Sequence, residues 1–131
     1  MPTHVAWIRK PLADALLRGQ KRVESRFSRT RRPPFGCVHV GDRVWFREVG
    51  GGWVAVATVA RVRQYERLTP SAIHALCRRY QRAVGADARY WHARRDCRFA
   101  TFLWLTDLRP AVRAPAAERQ YGGAWRTLAQ K

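Results

Sequence analysis

The chain has 131 residues, 47% of them hydrophobic and 11% aromatic; one domain over residues 1–131 is expected to fold without disulfides or a structural metal. With 26 Lys and Arg against 9 Asp and Glu, the formal charge is +17, a field that attracts phosphate backbones and makes binding salt-dependent. No apolar run approaches the roughly 20 residues needed to cross a bilayer and "MPTHVAWIRKP" has no leader pattern, so no membrane partner and a cytoplasmic location are expected.

"THVAWI", Thr3–Ile8, reads as a first strand of β-branched and aromatic residues. Pro11 suits the first turn of a short helix, "PLADALLR", with Leu12, Ala15 and Leu16 on one face before Gly19 ends it. A second strand follows at about 22–27. "SRTRRPPFG" is then a loop that Pro33, Pro34 and Gly36 keep irregular, and it carries Arg29, Arg31 and Arg32. "GDRVWFREV" and "WVAVATVARVRQY", separated by Gly50–Gly52, read as a β-hairpin whose second arm is apolar on both faces, as in a covered sheet.

Thr69 and Pro70 form an N-cap and first turn for a helix in which Ile73, Leu76, Cys77, Tyr80 and Val84 share a face. "DARYWHARRD" is a further helical segment, and "RFATFLWLTDL" is the clearest buried strand. A connecting segment over about 108–120 leads to "AWRTL", a last short strand. Five or six strands with two or three flanking helices predict an α+β arrangement around a small, strongly bent sheet or barrel. Most of the six tryptophans belong in its core.

Cys37, Cys77 and Cys97 are an odd count without paired spacing, which suits reduced thiols. Each has a histidine nearby (His39, His74, His92), but none forms a CxxC knuckle, so neither a metal site nor a cofactor is expected. Only Lys10, Lys21 and Lys131 are lysines. A mutational bias toward arginine would explain that choice but not the shortage of acids, and nucleic acid or a nucleotide is the expected partner.

The chemistry concentrates in "RGQKRVESR". Gly19 lets the chain leave the helix, Lys21 sits in the turn, and strand parity puts Glu24 and Arg26 on one face with Val23 and Ser25 on the other. Lys21, Glu24 and Arg26 are then expected to converge on one cleft, the carboxylate kept ionised between cations. A structural ion-pair network is the competing reading. Arg9 and Lys10 beside a helix start, the loop arginines Arg29, Arg31 and Arg32, and Tyr90 and Trp91 as stacking surfaces complete the candidate nucleic-acid contacts.

The pattern Gly-x-Lys-x-x-Glu-x-Arg, here Gly19, Lys21, Glu24 and Arg26, resembles the signature of the ASCH domains of the PUA-like superfamily. The setting agrees: a strand and "KPLADALLRG" before the motif, then "VGDRVWF", "LTPSAIHALCRRY", "YW" and "RFATFLWLTDL" after it. The resemblance implies a PUA-like β-barrel with a motif-lined cleft that binds RNA or modified nucleotides. Some members hydrolyse the acyl amide of N4-acetylcytidine with a threonine nucleophile three residues after the motif lysine, and others have been linked to RNA cleavage. Here that position is Glu24, which cannot replace a hydroxyl nucleophile but can in principle activate water.

The leading expectation is therefore a monomeric binding module holding single-stranded or modified RNA, in preference to DNA, in a basic cleft. The alternative is a hydrolase of RNA or of a modified nucleoside with Lys21 and Glu24 as its catalytic pair.

Overall fold

The computed structural model describes residues 2–111 and 124–128. Its elements are β1 (Thr3–Ile8), α1 (Lys10–Leu17), β2 (Val23–Ser28), β3 (Arg43–Glu48), β4 (Trp53–Tyr65), α2 (Pro70–Val84), α3 (Ala88–Ala93), β5 (Phe99–Pro110) and β6 (Trp125–Leu128). The six strands form one sheet in the order β2-β5-β4-β3-β1-β6. Among the described residues only β1 and β3 pair in parallel; β1–β6, β2–β5, β3–β4 and β4–β5 pair antiparallel. Two register shifts of β4 against β5, at Val56/Thr58 and Val59/Arg61, bend the long central strands, as bulges do. The sheet curls into a half-barrel flanked by three helices, the expected α+β architecture.

Two cores follow from strand alternation. Ala6, Ile8, Phe46, Val59, Leu103 and Trp125, drawn from strands spread across the sheet, meet with Ala13 and Leu16 of α1, which marks the concave face. On the convex face Val23, Ala100 and Phe102 pack under Ile73, Leu76, Tyr80 and Val84 of α2 and Trp91 of α3. The helical spacing read in α2 is thus the buried stripe, and Thr69 caps it by accepting a hydrogen bond from the Ala72 amide.

Two expectations change. β4 is covered only in its first half, where Ala55, Ala57 and Val59 are buried; beyond Val59 it carries exposed Arg61 and Arg63. β5 continues to Pro110, because its far end still pairs with Ala55 and Val56. Residues 112–120 of the expected connecting segment lie outside the described residues.

Candidate functional site

Among the described residues β2 is an edge strand, paired only with β5. The bonds from the Leu105 amide to the Arg22 carbonyl and from the Arg98 amide to the Ser28 carbonyl set the ladder's phase. Even-numbered residues of β2 bond to β5, while the backbone groups of Val23, Ser25 and Phe27 face the open side. Buried edge groups need partners, and the motif side chains supply them. Lys21 Nζ donates to the Val23 carbonyl at 2.7 Å, the Ser25 amide donates to Glu24 Oε1 at 3.0 Å, and the Tyr90 hydroxyl donates to the Ser25 carbonyl at 2.9 Å.

Lys21 reaches this position because Gly19 (φ 77°) turns the chain back on α1, with the Gln20 and Lys21 amides both bonding to the Ala15 carbonyl. The Lys21 ammonium is buried and also donates to the Val84 carbonyl at 2.9 Å, the negative end of α2. It lies 3.5 Å from Glu24 Oε1, so its three protons are committed. Burial pulls its pKa below the ordinary lysine range, with Glu24 opposing. Burial pushes the Glu24 carboxyl up, but Lys21, Arg26 and the Ser25 amide outweigh it and hold the group below its ordinary range.

Arg26 reaches across the seam of the half-barrel. Its guanidinium contacts Glu24 Oε2 at 3.2 Å and donates to the Trp7 carbonyl of β1 at 2.8 Å and the Ala124 carbonyl at 3.1 Å. The face of the guanidinium lies 5.5 Å from the Trp125 ring centroid. Lys21, Glu24 and Arg26 therefore meet one another, but Lys21 is buried and is not among the residues that line the clefts. Ser25 does not point clear of the site: its hydroxyl is 2.6 Å from that of Tyr90, on the cleft that wraps the free edge of β2.

That cleft has a volume of about 750 Å³ and runs between the end of β1, α1 and α3; Arg9, Glu24, Arg26, Arg89, Tyr90 and Arg94 are among its walls. A smaller cleft of about 360 Å³ opens on the other side of Arg26 and includes Arg29 and Arg32. The remaining candidates lie elsewhere. Lys10 is exposed and faces Asp14 on its own helix at 3.6 Å. Arg31 stacks on Phe35 and pairs with Glu66 at 3.0 Å.

Trp91, expected as a stacking surface, is 4% exposed. It packs against Phe27 and Phe102, because its helix turns it toward the sheet while Tyr90 takes the cleft side. Sequence reading missed Arg94, the C-cap of α3, whose guanidinium lies 3.6 Å from the Tyr90 centroid; its i, i+4 spacing from Tyr90 was the available signal.

Edge capping, seam and helix placement together define an α+β half-barrel. Within that class the fold is that of the ASCH domains. The ASCH protein of Zymomonas mobilis superposes with a TM-score of 0.65 at 22% identity over 82% of this chain and 69% of that one. A serine-to-alanine variant of the same protein superposes with a TM-score of 0.73 at 20% identity over 99% and 92%. No family model and no curated protein matches the sequence, and at these identities the likeness is one of fold.

Proposed function

We propose that this chain binds single-stranded or modified RNA in the cleft along the free edge of β2. The observation that carries the reading is the division of labour there. Lys21 and Glu24 neutralise each other and the strand edge, while Arg9 and Arg89 line the cleft without a carboxylate partner among the described residues. Such cations suit phosphate, and Tyr90 backed by Arg94 offers a rigid aromatic wall. The preference for RNA over DNA rests on the ASCH resemblance. The hydrolase reading gains no support: a carboxylate held ionised by two cations is a weak base, and Lys21 has no proton free for an oxyanion.

The test is fluorescence anisotropy with a short mixed-sequence oligoribonucleotide and its DNA counterpart. Arg9→Ala/Arg89→Ala should weaken RNA binding about tenfold or more, whereas Arg78→Ala/Arg82→Ala, the same charge change on exposed α2 positions, should have a much smaller effect. Equal losses from the two pairs would reduce the binding to net charge and remove the cleft assignment.

A further inference from the structure

Seven arginines among the described residues lie with the guanidinium over an aromatic ring. Four of them also spend N–H groups on the protein: Arg26 on the Trp7 and Ala124 carbonyls, Arg31 on Glu66, Arg47 on the Gly51 carbonyl and Arg94 on the Tyr90 carbonyl. Arg61, Arg63 and Arg79 differ. They lie over Trp104, Tyr65 and Tyr80, are exposed, and have neither a hydrogen bond nor an ion pair among the described residues.

These three form one patch. Arg61 and Arg63 are two apart in β4, so about 6.6 Å separates them along the strand, and their cross-strand partners Trp104 and Phe102 set them on the convex face beside α2. The Trp104 ring stands edge-on to Tyr80 with centroids 5.6 Å apart, and the Tyr65 and Tyr80 hydroxyls are 3.3 Å apart. The rings under the arginines therefore adjoin one another, and Arg79 joins the patch from α2. Glu66, the acid that follows β4, is taken by Arg31 at 3.0 Å, which leaves the patch positive.

A guanidinium already held against a ring loses less freedom when its planar fork of N–H donors takes a phosphate. The rings themselves are covered by guanidiniums, so the contact they offer is to backbone rather than to bases. We propose that Arg61, Arg63 and Arg79 are a rail for the phosphate backbone of RNA that extends beyond the stretch held in the cleft, a sequence-independent contact that lengthens the footprint. In the sheet only β5 separates β4 from β2, so few further nucleotides bring a strand from the cleft to the rail. The inference rests on the proposed RNA binding for the identity of the polymer and adds a second surface to it.

The test is fluorescence anisotropy with mixed-sequence oligoribonucleotides of about 5 and about 20 nucleotides, near the short and long limits of single-fold footprints. Wild type should bind the longer RNA more tightly. Arg61→Ala/Arg63→Ala should leave the short RNA unaffected and weaken the long one about tenfold, and it should lower the long RNA's log–log salt slope by about 1.4, two single-strand phosphate contacts at roughly 0.7 each. Arg79→Ala, on a different element, should lower that slope by about 0.7. All three side chains are exposed, so melting temperatures should stay close to that of wild type. Arg78→Ala/Arg82→Ala makes the same charge change at exposed α2 arginines that lie over no ring among the described residues, and it should cost clearly less on the long RNA. An equal loss from that pair would reduce the effect to net charge and overturn the rail. A loss from Arg61→Ala/Arg63→Ala that is the same for both lengths, or no loss on either, also overturns it while the cleft stands. If Arg9→Ala/Arg89→Ala leaves the short RNA untouched but the rail variants still weaken the long one, the cleft assignment fails and the rail stands.

Discussion

Glu24 is the one acid in a strongly basic stretch, and its environment makes it indispensable to the fold whatever else it does. Its folded pKa lies below the ordinary 4.5. The stability it contributes is therefore complete above that value and drains away as pH falls through the folded pKa. Glu24→Gln should flatten the acid limb of a plot of melting temperature against pH. At neutral pH it should cost about 3–5 kcal/mol, because Lys21 and Arg26 are left facing a neutral group. An acid limb as steep as that of wild type would show that other carboxylates control it. The motif was legible in the sequence as a cluster with correct parity, but its role was not. Whether Lys21 faces a ligand or the Val23 and Val84 carbonyls depends on where α2 ends in space, which local spacing cannot supply.

At the scale of elements, the turn from α2 to α3 lies against Lys21. Gly85 caps α2 with φ 75°, and a Cβ there would sit 3.2 Å from Lys21 Cβ. Gly19 has a similar φ of 77°, yet a Cβ would meet nothing within 4 Å. Both glycine-to-alanine changes pay about 1–2 kcal/mol for the left-handed backbone. Gly85→Ala should cost visibly more in urea unfolding, because it also presses on the buried Lys21; equal losses at the two sites would show that the close approach relaxes freely. Strand and helix positions were readable because the apolar periods of β5 and α2 are long and unambiguous. The half-exposed course of β4 had a signal too, the alternation of Val and Arg beyond Val59, but the apolar run of its first half outweighed it.

For the molecule as a whole, charge acts in opposite directions on folding and on binding. Arg61, Arg63 and Arg79 lie over the rings of Trp104, Tyr65 and Tyr80, not against carboxylates, so little of the +17 is neutralised on that side. Raising salt from roughly 50 to 200 mM should raise the melting temperature by screening self-repulsion while lowering RNA affinity; a footprint of about four phosphates gives a log–log slope near −3. Affinity that does not change with salt would rule out a phosphate-led footprint. The fold class, a strongly bent sheet included, was legible at this scale from element order, whereas the places where β4 shifts register against β5 were not, because such bulges leave no residue signature. The pairing of β1 with β6 carries one more consequence, for the rate of folding. The His4–Thr127 hydrogen bond joins residues 123 positions apart, so β1 stays incompletely paired until nearly the whole described chain is in place. Ring closure over such a span adds only about 0.6 kcal/mol for each doubling of loop length, and a contact this distant in sequence is expected to form late, after the rate-limiting step. Weakening this closure, for example with Thr127→Ala, should leave the refolding rate nearly unchanged and appear as faster unfolding, the mark of a contact made after the barrier.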